Sequence, residues 1–202
     1  TSYLNWVRQS HPVYLWLGMA NAQGVVVAAT DQNSLGRDLS KQDWFQAMRE
    51  NAAVYVGDVE PYEGSGGVAS VDFTAPISGP QGEFLGVVTT RVGLPVLEDV
   101  VTETIRAIQG RQGIPGNVEY QFLTRQGVAF IDSDLQHKGN VNLKSLGVPS
   151  ALLTESARPG YVEEQHVRRH TPVITGYART QGIQEFKGLQ WGVLVRTDRS
   201  EV

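Results

Sequence analysis

Gln23-Gly24-Val25, followed by Asp31 seven residues after the glycine, recurs as Gln126-Gly127-Val128 with Asp134 at the same distance. Gly36 and Gly139 keep that register. Further along, Tyr55-Val56 recurs as Tyr161-Val162, and Gly86-Val87-Val88 recurs as Gly192-Val193-Leu194. Matches in the same order with a small drift predict one supersecondary unit used twice. Each unit reads as strand, glycine turn, strand, irregular segment, then a strand meander.

Working outward from the first Gln-Gly, residues 13–20 and 25–30 are two β-rich runs joined at Asn21-Ala22-Gln23-Gly24, which predicts a hairpin. Ahead of it, Tyr3, Leu4, Trp6 and Val7 predict the last turns of a helix stopped by Pro12. Behind it, Ser40 is placed as the N-cap of a helix running through Trp44-Phe45-Gln46-Ala47-Met48. Strands follow near 54–60, 68–77 and 83–92, separated by Gly64-Ser65-Gly66-Gly67 and Gly79-Pro80-Gln81-Gly82. Leu94-Pro95 opens a helix whose stripe runs Leu97, Val100, Val101, Ile105 and Ile108. Gly113-Ile114-Pro115-Gly116 reads as a linker, which divides the chain into modules 1–112 and 113–202. The second module predicts strands at 118–124, 128–132, 161–167, 172–179 and 189–197, with short helices over 142–146 and 150–157. The class is α+β, with antiparallel sheets flanked by helices.

Composition narrows the function. The 202 residues are 41% hydrophobic and 19% charged, as in an ordinary globular protein. Net charge is −4 and the longest basic run is Arg168-Arg169-His170, so no nucleic-acid partner is expected. The absence of cysteine excludes thiol catalysis, thiolate-bound zinc and disulfides. No stretch approaches 18 consecutive apolar residues. The sequence starts at Thr1 and stops at Val202 without a helix stop, and is expected to be a fragment of a larger, membrane-anchored protein. No Gly-x-Ser-x-Gly elbow, phosphate loop or assembled acid–base pair is legible, so no catalysis is expected of it.

The segments Val25 to Asp31, Leu35-Gly36-Arg37-Asp38-Leu39-Ser40-Lys41-Gln42-Asp43-Trp44-Phe45, Tyr55-Val56-Gly57-Asp58-Val59, Val71-Asp72-Phe73-Thr74-Ala75-Pro76-Ile77 and Gly82-Glu83-Phe84-Leu85-Gly86-Val87-Val88 together resemble a Cache sensor module. The second copy, ending Trp191-Gly192-Val193-Leu194-Val195, resembles the membrane-proximal unit of a double Cache domain. The resemblance implies two tandem PAS-like modules fed by an N-terminal helix. It also implies an extracytoplasmic, periplasmic location in a bacterial histidine kinase, chemoreceptor or diguanylate cyclase. The implied partner is a small molecule in the distal module, with a homodimer as a further partner. Amino-acid-binding members place an Arg two residues before the Trp and an Asp late in the last strand. Those places hold Gln42 and Arg91 here, so an ordinary α-amino acid is expected to bind poorly.

The candidate ligand-binding residues are Gln42, Trp44, Phe45, Tyr55, Asp58, Tyr62, Asp72 and Arg91. One of Trp44 and Phe45 is expected to form a pocket wall; plain core packing is the competing reading. Asp58, Tyr62 and Asp72 are polar groups on facing strands, or solvated strand positions. Arg91 follows an apolar run, and a buried guanidinium needs a carboxylate, from a ligand or from Asp72. The first of these readings favours an anionic ligand. His166 and His170, four apart beside Glu163 and Glu164, have metal-ligand spacing only on a helix, and a strand is predicted there. No cofactor is expected. The alternatives are a ligand-free dimerisation scaffold, or a cytosolic PAS domain with flavin, or with haem on His11, His137, His166 or His170.

Overall fold

The structure, a computed structural model, describes residues 1–51, 54–62, 67–112, 118–133, 141–156, 158–182 and 188–202. The linker residues 113–116, Asp134, His137 and Gly139 lie outside them, as do the Gly64-Ser65-Gly66 part of its turn and the side chain of Tyr62. The chain forms two compact units, Thr1–Leu97 and Glu98–Val202.

The first unit opens with α1 (Ser2–Ser10) and the hairpin β1 (Tyr14–Asn21) and β2 (Val26–Ala29). Next come α2 (Asp43–Asn51), the short strands β3 (Tyr55–Val56) and β4 (Glu60–Tyr62), and the long strands β5 (Val68–Ser78) and β6 (Phe84–Gly93). They build one antiparallel sheet in the order β2-β1-β6-β5-β3, with β4 pairing further along β5. The predicted strand over 54–60 is therefore two strands, with Gly57, Asp58 and Val59 between them. The core lies where Trp16, Ala20, Val26, Ala29 and Val87 of the sheet meet Leu39, Phe45 and Met48. Phe45 and Met48 are three apart on α2 and share its buried face.

Helix α3 (Leu94–Gln112) begins at the predicted Leu94-Pro95 and carries on into the second unit. The units part at Leu97/Glu98, inside this helix, whereas the sequence places the division after residue 112. Within the second unit Thr102 Oγ1 lies 2.9 Å from the Tyr120 hydroxyl, which ties the helix to that sheet.

The second unit comprises β7 (Glu119–Leu123), β8 (Ala129–Asp132), α4 (Pro149–Leu153), β9 (Gly160–Gln165), β10 (Pro172–Arg179) and β11 (Gly192–Asp198). Its sheet order, β8-β7-β11-β10-β9, repeats the first. Leu123, Leu194, Ala129, Leu143, Val148 and Ala151 form its core. The predicted helix over 142–146 is a turn, in which Asn142 Oδ1 accepts from Ser145 N.

The paired Gln-Gly signals are explained by what passes over each turn. Gly24 has φ +85 and an added Cβ would stand 2.6 Å from Ser40 N. Gly127 has φ +93 and an added Cβ would stand 2.5 Å from Lys144 Cγ. In each unit the following loop docks on the turn: Leu39 N donates to Gly24 O, and Leu143 N donates to Gly127 O. Only glycine admits both the backbone angle and the close approach.

The later matches are one residue out of register. Asn21 N donates to Val25 O and Thr124 N to Val128 O, so Ala20 corresponds to Leu123. Ala20 pairs with Val87 and Leu123 with Gly192; Val87, not Gly86, is thus the counterpart of Gly192. By the same ladder Tyr55 corresponds to Gly160 and Val56 to Tyr161. One residue of slip reverses the face, so Tyr55 is half-buried while Tyr161 is 76% exposed.

Candidate functional site

A cavity of about 450 Å³ lies in the first unit between the sheet, α2 and the loop before it. Its walls include Gln42, Trp44, Tyr55, Asp58, Asp72 and Arg91, six of the eight residues predicted from sequence. Phe45 is not among them. It is fully buried in the core, edge-on to Phe84 with ring centroids 5.8 Å apart. Tyr62 lies on β4, but its side chain is outside the described residues.

Helix α2 sets the aromatic wall. It opens at Asp43, where Gln42 O accepts from Phe45 N and Gln46 N. Ser40 is not its cap: Ser40 N donates to Asp38 Oδ1, closing a local turn three residues earlier. From that start Phe45 points into the core and Trp44 stays half-buried at the cavity. Trp44 stacks on Tyr55 with centroids 6.0 Å apart and ring planes 24° from parallel.

The sheet sets the polar wall. Trp16, Arg91 and Asp72 stand side by side on β1, β6 and β5, because Arg91 pairs with both neighbours across the ladder. Arg91 Nη1 binds Asp72 Oδ1 at 2.6 Å, and its guanidinium carbon lies 5.9 Å from the Trp16 ring centre. The two side chains keep 26% and 20% exposure, so the pair is partly desolvated. Burial pushes the Asp72 carboxyl up to about 6; Arg91 opposes the shift and Glu60 adds to it. Burial, then the charges of Asp72 and Glu60, raise the Tyr55 phenol. Gly57 makes room for this carboxylate, because a Cβ there would lie 3.1 Å from Asp72 Cβ.

Arg91 therefore meets a carboxylate from within the chain, Asp72, the internal partner that the sequence allowed. The cavity wall carries Asp43, Asp58, Glu60 and Asp72 against Arg37 and Arg91, an excess of two carboxylates when all are ionised. Sequence reasoning missed Trp16, Arg37, Glu60 and Thr89. Trp16 and Thr89 were legible in principle, since they share the inward face of alternating strands with Arg91. Arg37 sits in a loop, which no periodicity marks.

The strand registers equate Arg91 with Arg196 and Asp72 with Thr175 in the second unit. There the position is closed. Arg196 is buried and donates to Gln121 Oε1 at 2.6 Å; Gln121 Nε2 donates to Asp132 Oδ2 at 2.7 Å, and Arg168 grips Asp132 through both terminal nitrogens. Thr175 Oγ1, fully buried, has no hydrogen-bond partner among the described residues. His166 is buried, with Nε2 2.8 Å from Glu119 Oε2, while His170 is exposed. Among the described residues no three His, Asp or Glu are grouped to hold a metal. No described helix is long and apolar enough to cross a membrane.

Residues 19–99 match the family of methyl-accepting chemotaxis protein-like, first PDC sensor domains. That span holds the sheet except Tyr14–Gly18 of β1, and every wall residue of the cavity but Trp16. The fold is that of a double Cache sensor domain. No curated protein sequence matches the chain. Among solved structures, the ligand-binding domain of the Campylobacter jejuni chemoreceptor Tlp3, in complex with 4-methylisoleucine, superposes with a TM-score of 0.68 at 11% identity. That match covers 98% of this chain and 69% of the other. The ligand-binding domain of the Pseudomonas aeruginosa amino-acid chemoreceptor PctC, in complex with GABA, gives 0.65 at 16% identity, covering 93% and 75%. An extracellular domain attributed to a histidine kinase gives 0.66 at 16% identity, covering 99% and 81%. At these identities the likeness is one of fold.

Proposed function

We propose that this double Cache domain is the extracytoplasmic, small-molecule-sensing part of a bacterial transmembrane signalling protein. The first module is membrane-distal and binds the signal, and the second relays occupancy toward the membrane. The fragment acts by binding and catalyses nothing itself.

The carrying observation is the cavity in which a stacked Trp44–Tyr55 pair faces Asp58, Glu60 and Asp72. An ammonium group there gains carboxylate partners and an aromatic face at once. An anion would meet an excess of negative charge and a guanidinium already engaged. We therefore assign the ligand to small amines, including amino compounds whose carboxylate reaches Arg37 at the rim. The amino acids bound by the Tlp3 and PctC domains contain such a group, and they support this reading. Gln42 supplies no charge for an α-carboxylate, which favours amines over ordinary α-amino acids.

Binding shifts a conformational population only by its differential affinity for the two states. The Asp72–Arg91 pair provides a lever of that kind, because an incoming ammonium competes with the guanidinium for the same carboxylate. A thermal-shift panel of monoamines, diamines, α-amino acids and dicarboxylates tests the assignment. A saturable rise in melting temperature is expected with amines and none with dicarboxylates. A response to dicarboxylates alone would return the site to an anionic ligand; no response at all would favour the ligand-free scaffold.

A further inference from the structure

The second unit carries a cavity of a different kind, at the hairpin-turn end of its sheet. It measures about 320 Å³ and is lined by Arg125, Lys144, Thr154, Glu155, Arg179 and Gln190. It is not the counterpart of the first-module cavity, whose equivalent position is filled by the Arg196 network. Three cations face one carboxylate, and that carboxylate is 71% exposed and well solvated.

Lys144 is held in place. Lys144 is only 15% exposed; its Nζ donates to Arg125 O at 2.8 Å and pairs with Glu155 Oε1 at 3.0 Å, leaving a third N–H. Its stem lies directly on Gly127, where a Cβ would stand 2.5 Å from Lys144 Cγ. Arg179 and Gln190 flank the rung in which Thr180 N donates to Trp191 O and Trp191 N to Thr180 Oγ1. Gln190 is held at φ +58, one of two non-glycine residues in that region among those described. The guanidinium groups of Arg125 and Arg179 have no hydrogen-bond or carboxylate partner among the described residues, and both line the space. Two guanidinium forks with no partner among the described residues and an anchored ammonium around a small cavity match a compact oxyanion.

We propose that the second module binds a small dianion, a phosphate or a dicarboxylate, between Arg125, Arg179 and Lys144. The site is independent of the amine assignment in the first module. It gives the domain a second input whose charge is opposite to the first.

The test uses the full 202-residue chain and calorimetric titration with inorganic phosphate and with succinate, against sodium chloride at matched ionic strength. The double variant Arg125→Gln/Arg179→Gln removes two side chains with no described partner, and circular dichroism and the anion-free melting temperature check its fold. Saturable binding of at least one dianion is expected, weakened tenfold or more in the double variant. No binding beyond the chloride control, or equal affinity in the double variant, overturns the proposal. Vesicles containing phosphatidylglycerol form a second arm. Arginine-dependent retention on vesicles, with no binding of either soluble dianion, would overturn it in favour of a lipid headgroup.

Discussion

Asp72 is the residue on which the proposed amine site turns. Folding holds its carboxyl near pH 6, above the ordinary 3.8, because burial outweighs the attraction of Arg91. The native state thus binds a proton more tightly than the unfolded chain, and the contribution of this residue to stability falls as pH rises from about 4 to 6. An ammonium ligand reverses the sense, since it needs the ionised carboxylate. Amine affinity is therefore expected to rise with pH below 6, approaching about tenfold per unit, and to level off above. Calorimetry at pH 5, 6 and 7 checks this, with Asp72→Asn expected to flatten the profile. The neighbouring aromatics divide by face. Phe45→Ala empties a core position and is expected to cost roughly 3–5 kcal/mol of stability. Trp44→Ala removes a half-buried wall and is expected to cost only about 1–2 kcal/mol of stability, but to weaken ligand binding. Denaturant melts and titrations of both variants separate the roles; equal effects on binding would contradict the division.

At the scale of elements, the turn from β9 to β10 is built around one histidine. His166 Nδ1 accepts from Arg168 N at 3.3 Å and Arg169 N at 3.1 Å, so Nε2 carries the proton it shares with Glu119. The groups facing this ring are Glu119 on β7, Arg196 and Asp198 on β11, and Arg169 in the turn itself. Burial lowers the His166 pKa below 6.5, though Glu119 opposes the shift. A depressed folded pKa means that its stabilisation is full above 6.5 and is lost as pH falls from there toward the folded value. The melting temperature at pH 7.5 minus that at pH 5.5 is expected to be more positive for the wild type than for His166→Gln, which accepts at the same place but does not titrate. Asp72 changes stability in the opposite sense over this range, so only the difference between the two proteins reports on His166. Equal pH dependence would sink this account of the turn.

For the whole molecule, the repeat was legible where backbone geometry forces a residue type. Gly24 and Gly127 are required by the loops that dock on them, and their Gln-Gly signals gave the hairpins and the two-unit plan. The register of the later strands was not legible, because two glycines there serve unrelated needs. A Cβ on Gly86 would strike Ala20 O, while Gly192 packs beneath Thr154. Sequence could align the glycines but not the pairing, and the pairing is what equates Arg91 with Arg196. Six wall residues were recoverable from motif positions and strand alternation. Whether Trp44 or Phe45 faced the cavity depended on which face of α2 meets the core, and that face carries Phe45 with Met48. The sequence marks a division only at the Gly113–Gly116 linker, because α3 reads as one uninterrupted stripe, while the compact units part within that helix.

The central claim is that the Trp44–Asp72 cavity of the first module holds an ammonium group. Its most direct test is calorimetric titration, at pH 7, of the best amine from the thermal panel into the wild type and Asp72→Asn. Loss of one partner of a partly desolvated charge pair is expected to weaken binding by about 2 kcal/mol or more, roughly thirtyfold. Binding of undiminished affinity to Asp72→Asn would contradict the account.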